Sequence, residues 1–144
     1  MGDHLQSKGT TLDVSVDTDP IYVLGDRVQL AQVLLNVHRN AIEAVSGQAR
    51  GLVMVWVGGD QTCAWVRVSD NGPGLSAQVL AQGREGFFST KSGGLGVGLL
   101  ISRQIIEAHG GQLSLNNQPG GGACVKISLP RRPPRAGAVT SPSA

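Results

Sequence analysis

Apolar and polar residues alternate in several short stretches of this chain, and apolar residues recur at helical spacing in two longer ones. Alternation and β-branched residues predict strands at residues 10–17, 21–25, 52–57, 63–69, 112–117 and 123–130. The third and fourth of these, joined through "GGDQT", predict a β-hairpin.

The first predicted helix runs from Arg27 to about Ser46, with Asp26 as its N-cap and Gly47 as a stop. Its predicted apolar side consists of Leu30, Val33, Leu34, Val37, Ala41, Ala44 and Val45. A second helix ends at Gly110 and Gly111, and its predicted apolar side consists of Val97, Leu100, Ile101, Ile105 and Ala108. The glycine-rich stretch at 75–98 is expected to be mobile.

These elements predict an α/β fold, a two-layer sandwich in which a mixed, mostly antiparallel sheet is covered on one face by about three helices. The 144 residues suit one domain, which we expect at 11–130. A flexible start at 1–10 and a disordered Pro/Ser/Ala-rich tail at 131–144 are expected to flank it.

Composition excludes several classes of function. A formal charge of +2 gives no case for nucleic acid. Cys63 and Cys124 lack metal-ligand spacing and are expected to be reduced core thiols, with neither a disulfide nor zinc. No apolar run has the ~20 residues of a membrane span, so we expect a cytoplasmic domain with no direct membrane contact. A membrane anchor elsewhere in the parent protein is compatible with this expectation.

Two asparagines one turn apart are the first candidate site. A helical projection places Asn36, Asn40 and Glu43 in a row along one edge of the apolar arc, with Arg39 further round on the same side. An amide there can turn its oxygen to a cation or its NH2 group to a phosphate. Taken alone, such asparagines are more often solvated or locally bonded side chains.

The second candidate is "SDNGPGLS" at 69–76, which follows a buried strand. An ionised aspartate only accepts hydrogen bonds, so Asp70 suits the exocyclic amine of adenine and opposes the carbonyl of guanine. Gly72, Gly74 and the neighbouring Leu75 suit a planar ligand. A plain turn is the competing interpretation, because Asn-Gly and Pro-Gly are strong turn dipeptides.

The third candidate is the glycine loop that precedes the second helix. Its backbone N–H groups and the helix dipole favour phosphate, although such a loop alone is a weak signal. It comprises Gly94, Leu95, Gly96, Val97, Gly98 and Leu99. Just upstream, Ser89, Thr90 and Lys91 offer hydroxyls and a cation for a terminal phosphate, although a loop lysine is usually only solvated.

Taken together, these stretches occur in an order that builds one nucleotide pocket. From about residue 12 to 130 the chain resembles the ATP-binding catalytic domain of sensor histidine kinases, in the superfamily of DNA gyrase, the large heat-shock chaperones and mismatch-repair ATPases. The resemblance rests on "QVLLNVHRNAIEAV" (32–45), "DNGPG" (70–74), "GFF" (86–88) and "GLGVGL" (94–99), which are similar to the family's asparagine, first glycine, phenylalanine and second glycine boxes. It implies the Bergerat-type ATP-binding fold, with ATP and Mg2+ as cofactors.

The resemblance also implies roles for the residues of these boxes. Asn40 becomes the Mg2+ ligand, assisted by Asn36, with Arg39 on the phosphate side and Glu43 at a position where many relatives carry lysine. Asp70 reads the adenine amine, Gly72 and Gly74 admit the base, and Leu75 completes that set. The 94–99 loop wraps the phosphates, and Lys91, beside Thr90, reaches the γ-phosphate.

In the family, the phosphate passes to a histidine on a dimerisation domain and then to a response regulator. His4, His38 and His109 lack the phosphoacceptor context and are expected to be structural or solvated. The chain is therefore expected to be a monomeric catalytic half of a protein-histidine kinase. The alternatives are a self-contained ATPase, which needs a base for water where this chain has Asn36, and a degenerate protein-interaction module.

Three positions depart from the family pattern. His38 replaces an aliphatic residue, Gly86 a proline, and Ala123 a threonine. The lost threonine hydroxyl is expected to affect affinity for the base rather than the fold.

Overall fold

The computed structural model describes residues 2–7, 10–16, 21–77, 80–81 and 95–132, with the backbone alone at 2–7 and 95–97. Its seven strands are β1 (Gly2–Ser7), β2 (Thr10–Val16), β3 (Tyr22–Val23), β4 (Gly51–Gly59), β5 (Cys63–Asp70), β6 (Gln112–Asn117) and β7 (Ala123–Arg132). They form one sheet in the order β1-β2-β4-β5-β7-β3, and β6 also pairs with β7. Only the β2–β4 pair is parallel among these strands, so the prediction of a mixed, mostly antiparallel sheet is confirmed.

Two helices within the described residues pack on one face of this sheet: α1 (Arg27–Val45) and α2 (Leu95–Ala108). The predicted start of α1 is confirmed, because Asp26 Oδ1 accepts a 3.0 Å hydrogen bond from the N–H of Gln29. Ala77, Leu80 and Ala81 are also helical. No helix among the described residues is long and apolar enough to cross a membrane.

The core lies between the helices and the sheet. Val33, Val37, Ala41 and Val45 form the buried stripe of α1, at a spacing of four residues. They pack against Val53, Val55, Val68, Leu113 and Ile127 of the sheet and Ile106 of α2. Each fully buried valine or isoleucine contributes roughly 1.5–3 kcal/mol relative to an exposed one.

The predicted apolar sides of the helices need correction. On α1, Leu34 and Ala44 are exposed. On α2, Ile101 and Ala108 are exposed, and the buried residues are instead Leu99, Ser102 and Ile106. The helix α2 carries apolar residues on several sides, so its sequence fits more than one phase of the helical period.

The two ends of the domain also differ from the expected boundaries. Residues 2–7, expected to be flexible, form β1, which pairs with β2 from Gly2↔Ser15 to Ser7↔Thr10. The last strand continues to Arg132 because Arg131 and Arg132 pair with β3. The rest of the predicted tail, 133–144, lies outside the described residues.

Candidate functional site

A pocket of about 250 Å3 lies between the C-terminal half of α1 and the helix-covered face of the sheet. The polar side chains at its wall are Asn40, Glu43 and Asp70. The rest of the lining is apolar or backbone: Val37, Ala41, Ala44, Val68, Gly74, Leu75, Leu99, Leu115, Ala123 and Val125. Three separate predicted motifs therefore meet in one cavity.

Asp70, the last residue of β5, is buried at 7% exposure. Its Oδ1 accepts hydrogen bonds from the N–H groups of Gly72, at 2.9 Å, and Ala123, at 3.2 Å. No described residue donates to its Oδ2. Because the carboxylate is held by one oxygen, the other is left to accept a hydrogen bond from a ligand.

The turn after β5 is shaped by close backbone packing. At Gly74 φ is +81°, and a Cβ there would lie 2.9 Å from Asn117 Oδ1. Gly72 is buried and does not line the pocket; a Cβ on it would lie 2.7 Å from the carbonyl oxygen of Ala44. Gly72 thus lets the turn approach the end of α1, whereas its predicted role was to admit a base.

Two asparagines outside the predicted site hold this turn in place. Asn71 bonds the backbone of β4, since its Oδ1 accepts from the N–H of Leu52 and its Nδ2 donates to the carbonyl of Arg50, both at 2.8 Å. Asn117, at the end of β6, accepts from the N–H of Leu75 at 2.7 Å and donates to the carbonyl of Leu75 at 2.8 Å. Both amides bind backbone groups of neighbouring segments, and both hold the rim of the pocket in place.

The two predicted amides of α1 have different surroundings. The Nδ2 of Asn40 is buried and has no hydrogen-bond partner, although Asn40 lines the pocket. An unpaired buried donor costs about 1–3 kcal/mol and is expected where a ligand completes the bond. Asn36 instead donates from Nδ2 to the Oγ of Ser102 on α2, at 3.5 Å, and does not line the pocket.

The remaining predicted residues are divided between the pocket wall, the exposed surface and undescribed chain. Glu43 is exposed yet lines the pocket, and Arg39 is exposed outside it. Leu95, Gly96, Val97 and Gly98, predicted to lie in a loop, belong to the first turns of α2, while Leu99 lines the pocket. The predicted contacts Thr90, Lys91 and Gly94 lie outside the described residues.

Besides Asn71, sequence reasoning missed three residues that build the site. Ser102 is fully buried and joins α2 to Asn36. Gly122 has φ +90° and passes so close to Asp70 that a Cβ would overlap the Asp70 carbonyl. Asn117 clamps Leu75. The available signal for Ser102 was a serine on the apolar side of α2. The available signal for Gly122 was the run Gly120–Gly122.

The pocket combines apolar walls with one carboxylate acceptor and one unpaired amide donor. Such a cavity suits a flat ring system that presents an N–H to Asp70. Its volume is below the roughly 300–1,000 Å3 of sites for whole ligands, so a larger ligand has to extend beyond it.

A family model described as histidine kinase-, DNA gyrase B- and HSP90-like ATPase matches residues 25–133.

The chain belongs to this ATPase family. Membership implies the use of ATP. Sensor protein FixL of Bradyrhizobium diazoefficiens is 42% identical over 126 residues, which are 87% of this chain and 25% of that protein. The chain thus spans about a quarter of this relative and corresponds to an ATPase domain of sensor histidine kinases.

Solved structures of histidine kinases share the fold of this ATPase domain. Full-length ShkA in complex with AMPPNP matches with a TM-score of 0.73 and 26% identity, over 90% of this chain and 27% of that one. ThkA in complex with the response regulator protein TrrA matches with a TM-score of 0.66 and 30% identity, over 81% of this chain and 33% of that one. The predicted histidine-kinase ATP-binding fold is confirmed by these likenesses.

Proposed function

We propose that this domain binds Mg·ATP in the pocket between α1 and the sheet and transfers the γ-phosphate to a histidine. That histidine belongs to a dimerisation and phosphoacceptor domain of the parent kinase, from which the phosphate passes to a response regulator. Support comes from the family of the domain and from the kinases it resembles, one of which was solved with AMPPNP, an ATP analogue, and another with a response regulator.

The assignment of the pocket to adenine rests on how the carboxylate of Asp70 is hydrogen-bonded. The N–H groups of Gly72 and Ala123 both bind Oδ1, which orients the carboxylate and leaves Oδ2 for the ligand. The amine of adenine donates to such an oxygen, whereas the carbonyl of guanine or hypoxanthine at the same position repels it. A hydrogen bond to a charged group contributes about 1.5–3 kcal/mol.

Asn40 is the proposed contact for the triphosphate and its Mg2+. Its buried, unpaired amide fits either a phosphate oxygen or, after rotation of the amide by half a turn, a cation. Asn36, one turn earlier and held by Ser102, is the proposed second amide. The bound Mg2+ would neutralise the charge that develops on the phosphates during transfer.

The first turn of α2 is the proposed cradle for the phosphates. The backbone of Leu95–Gly98 is helical, and the free N–H groups and positive dipole end of a helix start favour anions. Leu99, fully buried at the pocket wall, anchors this turn to the base end of the site. The contacts of Thr90, Lys91 and Gly94, and of Arg39 on the phosphate side, are proposed from the family resemblance alone. The contact of Glu43 is proposed from the resemblance and from its place in the pocket wall.

A self-contained ATPase is the less favoured function. Water attack needs a base or orienting group, and the family's ATPases carry a glutamate four residues before the metal-binding asparagine. Here that residue is Asn36, whose amide cannot take a proton and already donates to Ser102. The site is therefore better suited to a nucleophile delivered by another domain.

The test combines the domain with γ-labelled ATP, Mg2+ and a separately purified phosphoacceptor domain of the parent kinase. We expect label to appear on the acceptor as an acid-labile phosphohistidine, with negligible release of phosphate when the acceptor is omitted. Rapid, sustained phosphate release by the domain alone would overturn the proposal in favour of the ATPase.

A further inference from the structure

The face of the sheet opposite the helices carries a cluster of large side chains, which we call the open-face patch: Met54, Trp56, Trp65, Arg67 and Lys126. The tryptophan rings lie with their centroids 3.9 Å apart at an interplanar angle of 47°. Met54 and Trp56 remain 49% and 37% exposed. Both tryptophans of the chain are in this patch.

Two cations stand side by side in the patch. Arg67 and Lys126 are direct partners in the antiparallel β5–β7 pair, and like charges directly opposite each other destabilise a sheet. Arg67 Cζ lies 5.1 Å from the centroid of the Trp56 ring, and Lys126 Nζ lies 5.9 Å from that of Trp65. These cation–π contacts hold the charges in place without neutralising them.

No carboxylate among the described residues pairs with either cation. The ion pair found within the described part of the chain joins Arg103 to Glu107 on α2. Asp13 of β2 is also on the open face, but it pairs with Met54 of β4. Arg67 and Lys126 pair instead in line with Trp56, two residues further along β4. The sequence at 133–144 contains Arg135 and no acidic residue, so it does not complement the patch.

We propose that the open-face patch docks an acidic segment of a partner protein. Tryptophan, arginine and methionine are enriched in protein–protein interfaces, and the first two dominate their binding energy. The paired rings and the cations above them already contact one another in the free domain, and contacts that pre-form a surface reduce the entropy lost on binding. A broad sheet face with aromatic and apolar groups around two cations suits a peptide segment with both acidic and apolar residues.

This inference is independent of the nucleotide site, which lies on the other face of the sheet. Lys126 follows Val125, which lines the nucleotide pocket, and successive residues of a strand point to opposite faces, so Lys126 and its partner Arg67 lie on the face away from that pocket. A failure of docking would leave the ATP assignment untouched, and a failure of ATP binding would leave the docking surface untouched.

The test uses a synthetic peptide of alternating glutamate and leucine, with a lysine–leucine peptide as its charge-reversed counterpart. Binding is followed by tryptophan fluorescence and by calorimetry, at low and at physiological salt. We expect the acidic peptide to bind, to weaken as salt rises and to lose about tenfold in affinity on Lys126→Glu. The unfolding midpoint of Lys126→Glu should not fall, because the change replaces a like-charge pair by an opposite one.

Arg50→Glu is the matched control, because Arg50 is an exposed cation in the turn before β4, outside the patch. It should bind the acidic peptide like the wild type. Equal binding of the two peptides, or undiminished binding by Lys126→Glu, would overturn the proposal. Tighter binding to phosphatidylserine vesicles than to the acidic peptide would overturn it in favour of a membrane surface.

Discussion

Asp70 on β5 and Ala123 on β7 are joined across adjacent strands by a 3.2 Å hydrogen bond from the Ala123 N–H to the Asp70 Oδ1. The β5–β7 pairing that builds the centre of the sheet therefore also orients the carboxylate of the pocket. The second bond to Oδ1 comes from Gly72, in the turn that follows. The orientation of this acceptor therefore depends on the pairing of β5 with β7.

Asp70→Asn is expected to weaken ATP binding by about ten- to a hundredfold. The new amide oxygen can still accept from Gly72 and Ala123, but this turns the NH2 group towards the ligand, where it meets the adenine amine as a second donor. Isothermal titration calorimetry with Mg·ATP gives the change in affinity.

Asp13→Asn is the control for this change, since Asp13 lies outside the pocket lining. It should bind ATP like the wild type. Unchanged ATP affinity in Asp70→Asn would show that the adenine assignment is wrong.

Asn40→Ala is expected to reduce Mg-dependent ATP binding without lowering the free energy of unfolding. The substitution removes a buried donor that has no partner in the free domain, and such a donor costs about 1–3 kcal/mol. Urea unfolding and calorimetry with and without Mg2+ separate the two effects.

Asn71→Ala provides the comparison, because the Asn71 amide makes two backbone hydrogen bonds. Its free energy of unfolding should fall by about 1–3 kcal/mol. An equal loss of stability in Asn40→Ala would mean that Asn40 is a structural residue.

Ala123→Ser is expected to strengthen ATP binding about fivefold. Ala123 lines the pocket and is 8% exposed, so a hydroxyl there would face the proposed nucleotide, and a hydrogen bond to it would contribute about 1 kcal/mol. Cys124→Ser, at the next position and on the opposite face of the sheet, should have no effect on calorimetric affinity. Weaker binding by Ala123→Ser would indicate that the apolar wall matters more than an added hydrogen bond.

Asp60 is expected to make the β4–β5 turn sensitive to acid. Hydrogen bonds from the N–H groups of Cys63 and Thr62, and from the Thr62 hydroxyl, lower the pKa of Asp60 below its ordinary 3.8. A lowered pKa in the folded state stabilises the domain above pH 3.8, and the stabilisation is lost as the pH falls through the folded value.

Asp60→Ala should therefore lower the urea midpoint at neutral pH and have a smaller effect well below pH 3.8. Urea unfolding across that range measures the difference. A loss that is the same at both pH values would show that the charge of Asp60 is not involved.

Local patterns predicted much of the fold and part of the site. The four-residue spacing of Val33, Val37, Ala41 and Val45 predicted most of the buried face of α1, but it did not exclude Leu34 and Ala44, which are exposed. Asp70 was recognisable because an acidic residue directly follows a buried strand. The phase of α2 was not recoverable, since isoleucines and leucines occur on several of its sides.

The contacts that complete the site join residues far apart in the chain. Ala123 bonds a carboxylate 53 positions away, and Ser102 bonds an amide 66 positions away. No local periodicity encodes such a pair. Likewise Gly72 resembled a ligand-binding glycine, and only the packed structure shows that it accommodates the Ala44 carbonyl.

The most direct measurement compares ATP with ITP in calorimetric titrations of the wild-type domain, because the base of ITP carries a carbonyl in place of the amine and a hydrogen on the adjacent N1. We predict that Mg·ATP binds and that ITP binds at least about tenfold more weakly, since the carbonyl meets the acceptor Asp70 Oδ2. Equal affinities for the two nucleotides would contradict the assignment of this pocket to adenine.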